Sequence, residues 1–356
     1  RRGPNPKMSS SSALVNRAVV RSSNRRVAGR TAARAAAGEA PPSATPKWNS
    51  KWPTGVPPSM GEHLMPSGQR APLSTSTTSG TGPKHQFQYY GEEGEWTIMQ
   101  YADGSLAAGL CAQVAEAAGA AIGARGACSV ALSGGSALTM LEGLAAHKEV
   151  DWSKASFFVV DERVVPASSP DSNLGAAKAG LLAKLGVPDA NVHGISDPPL
   201  QPAQEALMYE AKLLSQPAEV LPRTDAGLPA FDVVVLGIGE DGHVASLFPN
   251  RPETAATAGI ALPVTTSPKP PANRVTLTLP VINSAAKVII AASGAGKAEI
   301  VQRVVEHQTL PGALPAQLVR PAVFCIDASA ADMLSPTKWL EPKLWPRSEV
   351  PKPAKK

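Results

Sequence analysis

Cysteine is scarce in this chain of 356 residues, with only Cys111, Cys128 and Cys325 present. An odd number without short spacing excludes a disulfide framework and a cysteine-based zinc site. The three read as small buried apolar residues. Aromatic residues make up 4% of the chain, and no basic face interleaved with aromatics is visible, so a nucleic-acid partner is not expected. No apolar run reaches the roughly 18 residues that would cross a bilayer, so no membrane partner is expected either. The strings GxSxG, HExxH and GxxxxGK[ST] are missing. Their absence argues against a serine hydrolase, a zincin and a nucleoside triphosphate site.

Acidic residues are missing before Glu39, although the segment is rich in Arg, Ser and Ala. That composition marks an organelle transit peptide. Hydroxylated residues follow Met8, which favours a chloroplast (plastid stroma) address, with mitochondrion or cytosol as alternatives. Met8 is expected to be the initiator, with Arg1–Lys7 upstream of it. Residues 39–84 are rich in Pro, Ser, Thr and Gly and lack hydrophobic periodicity. Residues 1–84 are therefore expected to form a mostly disordered leader and linker, residues 85–340 a single catalytic domain, and residues 341–356 a basic Pro- and Lys-rich tail. The net charge of +5 belongs to these ends, because the middle of the chain is close to balanced.

Within residues 85–340, one or two short strands are expected near 86–103. A helix follows over 104–125, with Asp103 as its N-cap. Strands are expected at 127–132, 156–160, 231–236, 275–278, 286–292 and 323–327. Helices are expected at 137–146, 173–185, 203–214 and 297–306, and a turn at LPVIN. Strands and helices alternate. The pattern predicts an α/β fold: a mostly parallel open sheet with helices on both faces, Rossmann-like in arrangement.

Four strand ends run into loops of glycine and polar residues, and in a parallel sheet such ends share one edge. Ser133-Gly134-Gly135-Ser136 precedes a helix and is either an anion-binding turn or a plain tight turn. Asp161-Glu162-Arg163 is either a surface ion-pair group or a site. As a site, the Arg163 fork faces an oxyanion or phosphate, and Asp161 orients it or the substrate hydroxyls. Arg274 and Lys297 sit beside apolar segments, where they serve as phosphate cations or as solvated surface. The string LGIGEDGHVASLFP (236–249) follows an apolar strand and presents Asp241 and His243. Imidazole titrates near neutrality, which makes His243 a candidate general base. Asp241-x-His243 is not a metal site by itself. The other histidines, His63, His85, His147, His193 and His307, read as surface or structural residues.

Together these strings resemble the 6-phosphogluconolactonases of the glucosamine-6-phosphate isomerase/6-phosphogluconolactonase superfamily. The resemblance covers about residues 104–334. Its segments stand in the family's order: ALSGGSALTML, FFVVDERVVP with PDSN, FDVVVLGIGEDGHVASLFP, SPKPPANRVTLTLPVIN, SGAGKAEIVQRVVE and LPAQLVRP. It implies hydrolysis of 6-phospho-D-glucono-1,5-lactone to 6-phosphogluconate in the oxidative pentose phosphate pathway. By that resemblance His243 activates the attacking water and Asp241 helps to position it. Arg163 meets the substrate or the oxyanion, and Arg274, Lys297 and the 133–136 turn hold the phosphate. It also implies a small sugar-phosphate lactone as substrate, with no cofactor and no metal. Separately, a monomer is expected, although the sequence does not determine the oligomeric state.

Two departures are small: Ala137 follows SGGS where many members carry Thr-Pro, and Val244 stands where Thr is common. Two other readings remain. A glucosamine-6-phosphate isomerase/deaminase would carry acids in an AFNEP-like string where this chain has ASLFP. A non-catalytic sugar-phosphate-binding homologue would not need Asp241, His243, Arg163, Arg274 and Lys297 all present.

Overall fold

The computed structural model describes residues 82–334 apart from 84, 92, 93 and 308. The expected transit peptide, most of the linker, and the basic tail lie outside the described residues.

Eleven strands are present among these residues: β1 (His85–Gly91), β2 (Gly94–Tyr101), β3 (Cys128–Leu132), β4 (Ala155–Val159), β5 (Asp161–Arg163), β6 (Val192–His193), β7 (Val233–Gly237), β8 (Ala261–Val264), β9 (Arg274–Leu277), β10 (Lys287–Ala292) and β11 (Ala322–Asp327). Eight form one sheet in the order β1-β2-β11-β10-β7-β3-β4-β6. Only β1 and β2 pair antiparallel, and every other neighbour is parallel. The α/β expectation therefore holds.

The central strands are apolar on both sides, as a sheet covered on both faces requires. On β7, Val233 and Val235 enter one core together with Leu110, Val114, Leu141 and Leu144. Val234 and Leu236 point the other way, into a core with Tyr209, Leu213, Val301 and Val304. Alternation along the strand thus feeds two cores. Each Val or Leu fully buried in this way contributes about 1.5–3 kcal/mol.

The helix Leu106–Arg125 is long and apolar enough to cross a membrane by length and composition. In the fold its Leu110, Val114 and Ala118 are fully buried beneath the sheet, and that packing accounts for its apolarity. Gly126 closes it in the left-handed region, donating to Ile122 O at 2.8 Å. Its N-cap position is Ser105, not Asp103. Asp103 instead accepts hydrogen bonds from Ser329 N (3.1 Å) and Ser329 Oγ (3.2 Å).

A second sheet was not expected. β5, β9 and β8 form a three-stranded antiparallel sheet. β9 is buried along its whole length, and a short apolar run of that kind does not reveal which sheet it will join. LPVIN is a short helix, Leu279–Asn283, not a turn. The helix expected over 137–146 is α-helical only over Ser136–Met140 and continues as 3-10 helix over Leu141–Ala146.

The topology fixes where a ligand can sit. From β3 the chain moves on to β4 on one side, and from β7 it moves to β10 on the other. Neighbouring strands β3 and β7 therefore send their following loops in opposite directions. A crevice opens between those loops at the carboxyl edge, the usual ligand position in open α/β sheets.

Candidate active site

A cleft of about 290 Å³ lies at that crevice. Its walls include Ser133, Gly134 and Gly135 after β3, Asp161 and Arg163 on β5, Gly237 at the end of β7, and Gly239 and His243 after it. Arg274 and Lys297 complete the set expected from sequence, and Asn173 and Lys269 join it unexpectedly. Ser136 and Asp241 are the exceptions among the expected residues. Ser136 is exposed and begins a helix, because Gly135 at φ 67° turns the chain away from the cleft. Asp241 meets the lining through its contacts with His243 and Lys269.

The loop after β7 brings Asp241 and His243 together. Gly239 N donates to His243 O and Gly242 N donates to Gly239 O, both at 2.9 Å, and Gly242 has φ 83°. This tight turn folds His243 back over Gly239. A Cβ on Gly239 would stand 2.0 Å from His243 Nδ1 and 2.5 Å from Asp241 Oδ1, so only glycine fits beneath the pair. Gly239→Ala is expected to break the His243–Asp241 contact. Loss of the downfield Nδ1 proton resonance in NMR spectra checks this, and its persistence would count against the geometry.

His243 Nδ1 lies 2.5 Å from Asp241 Oδ1. An ionised carboxylate there requires the proton on Nδ1, so the ring donates to Asp241 and Nε2 carries the lone pair. Asp241 therefore acts on the imidazole directly. The Phe248 ring packs on His243 with centroids 4.7 Å apart. Burial depresses the His243 imidazole below its ordinary value, although the Asp241 hydrogen bond and charge pull the other way. For Asp241, burial alone would raise the carboxyl. The hydrogen bond to His243 and the charges of His243 and Lys269 outweigh it and hold the group below the usual carboxylate value. The result is a neutral imidazole against an ionised carboxylate, the pairing a general base needs.

Strand β5 sorts its three residues by period two. Asp161 and Arg163 face the cleft, while Glu162 points away from it and is 1% exposed. The Glu162 carboxylate accepts from Arg163 N (2.8 Å), Asn173 N (2.7 Å), Leu174 N (2.7 Å) and Ser172 Oγ (3.2 Å). Burial pushes this carboxyl up, against those N–H donors. It fixes the start of helix Asn173–Ala177, whose N-cap is Ser172. Glu162 is thus neither an exposed ion-pair partner nor a ligand contact.

Arg163 has one committed donor, Nη1 to Asp171 O at 2.9 Å. Its Nε is buried without a hydrogen-bond partner, as is Ser133 Oγ. Both residues line the cleft, so both atoms are free to pair with a group placed there. Arg274 stands directly across from Arg163 in the β5–β9 register and is 3% exposed. Burial, then the facing Arg163, push its guanidinium below the ordinary value, with Asp161 and Asp171 opposing. Asp161 reaches Arg274 through Ser246: Ser246 Oγ donates to Asp161 Oδ2 (2.7 Å), and Arg274 Nη1 donates to Ser246 Oγ (3.3 Å).

Comparison with known proteins shows the family. A family model described as glucosamine-6-phosphate isomerases/6-phosphogluconolactonase matches residues 102–326. The chain belongs to that family. Among curated relatives in this family, the 6-phosphogluconolactonase of Rattus norvegicus is 39% identical over 240 residues, 65% of this chain and 90% of the rat protein. A rice protein (Oryza sativa subsp. indica) named "Probable 6-phosphogluconolactonase 4, chloroplastic" is 40% identical over 223 residues, 61% of this chain and 68% of the relative. Among solved structures of the family, the Trypanosoma brucei 6-phosphogluconolactonase is 30% identical. It covers 67% of this chain and 98% of its own, with a TM-score of 0.57.

Sequence reasoning missed two cleft residues in this family member. Asn173 was read only as the start of a helix. Its Nδ2 donates to Asp161 O at 2.8 Å, and its Oδ1 occupies the space a Cβ on Gly134 would need, at 1.9 Å. Lys269 lies in SPKPP, where prolines on both sides restrict the backbone and hold a charged side chain in place. That was the available signal.

Proposed function

We propose that this member of the family is a 6-phosphogluconolactonase: it hydrolyses 6-phospho-D-glucono-1,5-lactone to 6-phosphogluconate by water activated at His243. The observation that carries the mechanism is His243, backed by Asp241, in a cleft it shares with the unpartnered Arg163 Nε and Ser133 Oγ. A δ-lactone is already activated toward water, so no covalent nucleophile is needed.

Water oxygen bonds to the lactone carbonyl carbon, and its proton passes to His243 Nε2. The carbonyl π pair moves to oxygen, where the Arg163 N–H groups stabilise the charge. Collapse of the tetrahedral intermediate breaks the bond from that carbon to the ring oxygen. The ring oxygen takes the proton from His243, and the new acid ionises in neutral solution. Asp241 stabilises the imidazolium between the two transfers.

Lys297, which follows the Gly294 turn and lines the cleft, suits the phosphate. The Ser293–Lys297 turn is held by the buried Asp327, which accepts from Ser293 Oγ (2.5 Å) and Gly294 N (3.0 Å). A charge-assisted hydrogen bond is worth about 1.5–3 kcal/mol. Lys297→Met is therefore expected to raise KM for the phosphorylated lactone about 10- to 100-fold, with kcat changed far less. Turnover of unphosphorylated glucono-1,5-lactone should not change. Equal damage to both substrates would remove Lys297 from the phosphate role. A plastid location fits the acid-free leader and the rice relative's name. Import of the leader fused to a fluorescent protein into isolated chloroplasts tests it.

A further inference from the structure

Arg274 is less available to a ligand than its sequence position suggested. Its Nε donates to Pro271 O (3.0 Å), and its Nη2 donates to Lys269 O (2.9 Å) and Pro270 O (3.1 Å). Nη1 donates to Ser246 Oγ (3.3 Å). Guanidinium carries five N–H donors, and these four bonds leave one. Three of them fix the backbone of residues 269–271. Ser267 adds to the same segment, its Oγ donating to Lys269 O (2.7 Å) and accepting from Lys269 N (3.2 Å).

What this clamp presents is Lys269. The side chain lines the cleft, and its Nζ lies 3.6 Å from Asp241 Oδ1. That oxygen is the one bound to His243 Nδ1. One carboxylate oxygen thus serves an imidazole and an ammonium together. We propose that Lys269, held in place by Arg274, is a positioning residue that shares Asp241 with His243 and so keeps His243 a neutral base.

The physics is one of competing charge. An Asp241 divided between two cations stabilises imidazolium less than one facing the imidazole alone, and the ammonium repels imidazolium directly. Asp241 and Asp161 favour the protonated ring, and Lys269 opposes it. Arg163, Arg274 and Lys297 line the same cleft and add positive charge, and the Phe248 ring covers one side. Lys269 is about half exposed, so replacing it leaves the core intact.

The kinetic part of the test rests on the proposed lactonase reaction, and the spectroscopic part does not. In the full chain labelled at histidine, the ring resonances of His243 are identified by their loss in His243→Gln and followed against pH. Lys269→Met is expected to raise the His243 midpoint by about half a pH unit, the size of one solvent-weakened unit charge at this range. Lys269→Arg, which keeps the charge, should titrate like the wild type. The acidic limb of kcat/KM should move upward with the resonance in Lys269→Met. A wild-type midpoint in Lys269→Met overturns the proposal, and so does an equal rise in Lys269→Arg. Absence of lactone turnover in the wild type would sink the function reading, while the titration would still decide the role of Lys269.

Discussion

His243→Gln is expected to lower kcat for lactone hydrolysis by about 10²–10⁴-fold, the usual worth of a positioned general base. Thermal stability should change little, because the ring is packed at the cleft wall and not in either core. Glutamine keeps a polar side chain of similar reach but cannot take the water's proton. The loss should therefore fall on kcat and kcat/KM together, with KM nearly constant. The pH profile of the wild type supplies a second readout. Burial holds the imidazole below its ordinary 6.5, so activity should fall only as pH drops through a value under 6.5 and should be level at neutral pH. Near-normal turnover in His243→Gln, or an acidic limb well above 6.5, would remove this residue from the base role.

Glu162→Ala is expected to cost on the order of 3 kcal/mol of folding stability or more. Truncation strands the Arg163, Asn173 and Leu174 N–H groups that the buried carboxylate accepts, and each unpaired buried donor costs about 1–3 kcal/mol. With a urea slope of about 1–3 kcal/mol per molar, the unfolding midpoint should fall by about 1 M or more. Glu162→Gln keeps a carbonyl acceptor and should lose less. The same change should weaken substrate binding, because Glu162 holds Arg163 on one side and the Asn173 turn on the other. An unchanged midpoint in Glu162→Ala would mean that the start of helix Asn173–Ala177 is held by other groups.

Much of the site was legible because it lies at strand ends. Apolar runs such as residues 231–236, each followed by glycine and charge, predicted a parallel sheet and one functional edge. Ser133, Asp161, Arg163, His243 and Lys297 do line one cleft there. The less legible features depend on direction and partner, not on residue type. Asp161-Glu162-Arg163 reads as three charges in a row, and only pairing with β9 turns the middle one inward. Arg274 reads as a free cation, yet most of its donors serve backbone carbonyls up to five residues upstream. Asp103 reads as a helix cap, while its carboxylate is taken by Ser329 from the far end of the domain. Lys269 shows no helical or strand periodicity, and its place beside Asp241 follows from the Arg274 clamp.

The most direct test is hydrolysis of freshly generated 6-phospho-D-glucono-1,5-lactone by the wild-type protein. The lactone is supplied from glucose 6-phosphate by its dehydrogenase, and spontaneous ring opening is subtracted. The account predicts rapid enzymatic opening of the phosphorylated lactone, much slower opening of glucono-1,5-lactone at the same concentration, and a return to the spontaneous rate in His243→Gln. Opening of the phosphorylated lactone at the spontaneous rate by the folded wild-type protein would contradict it.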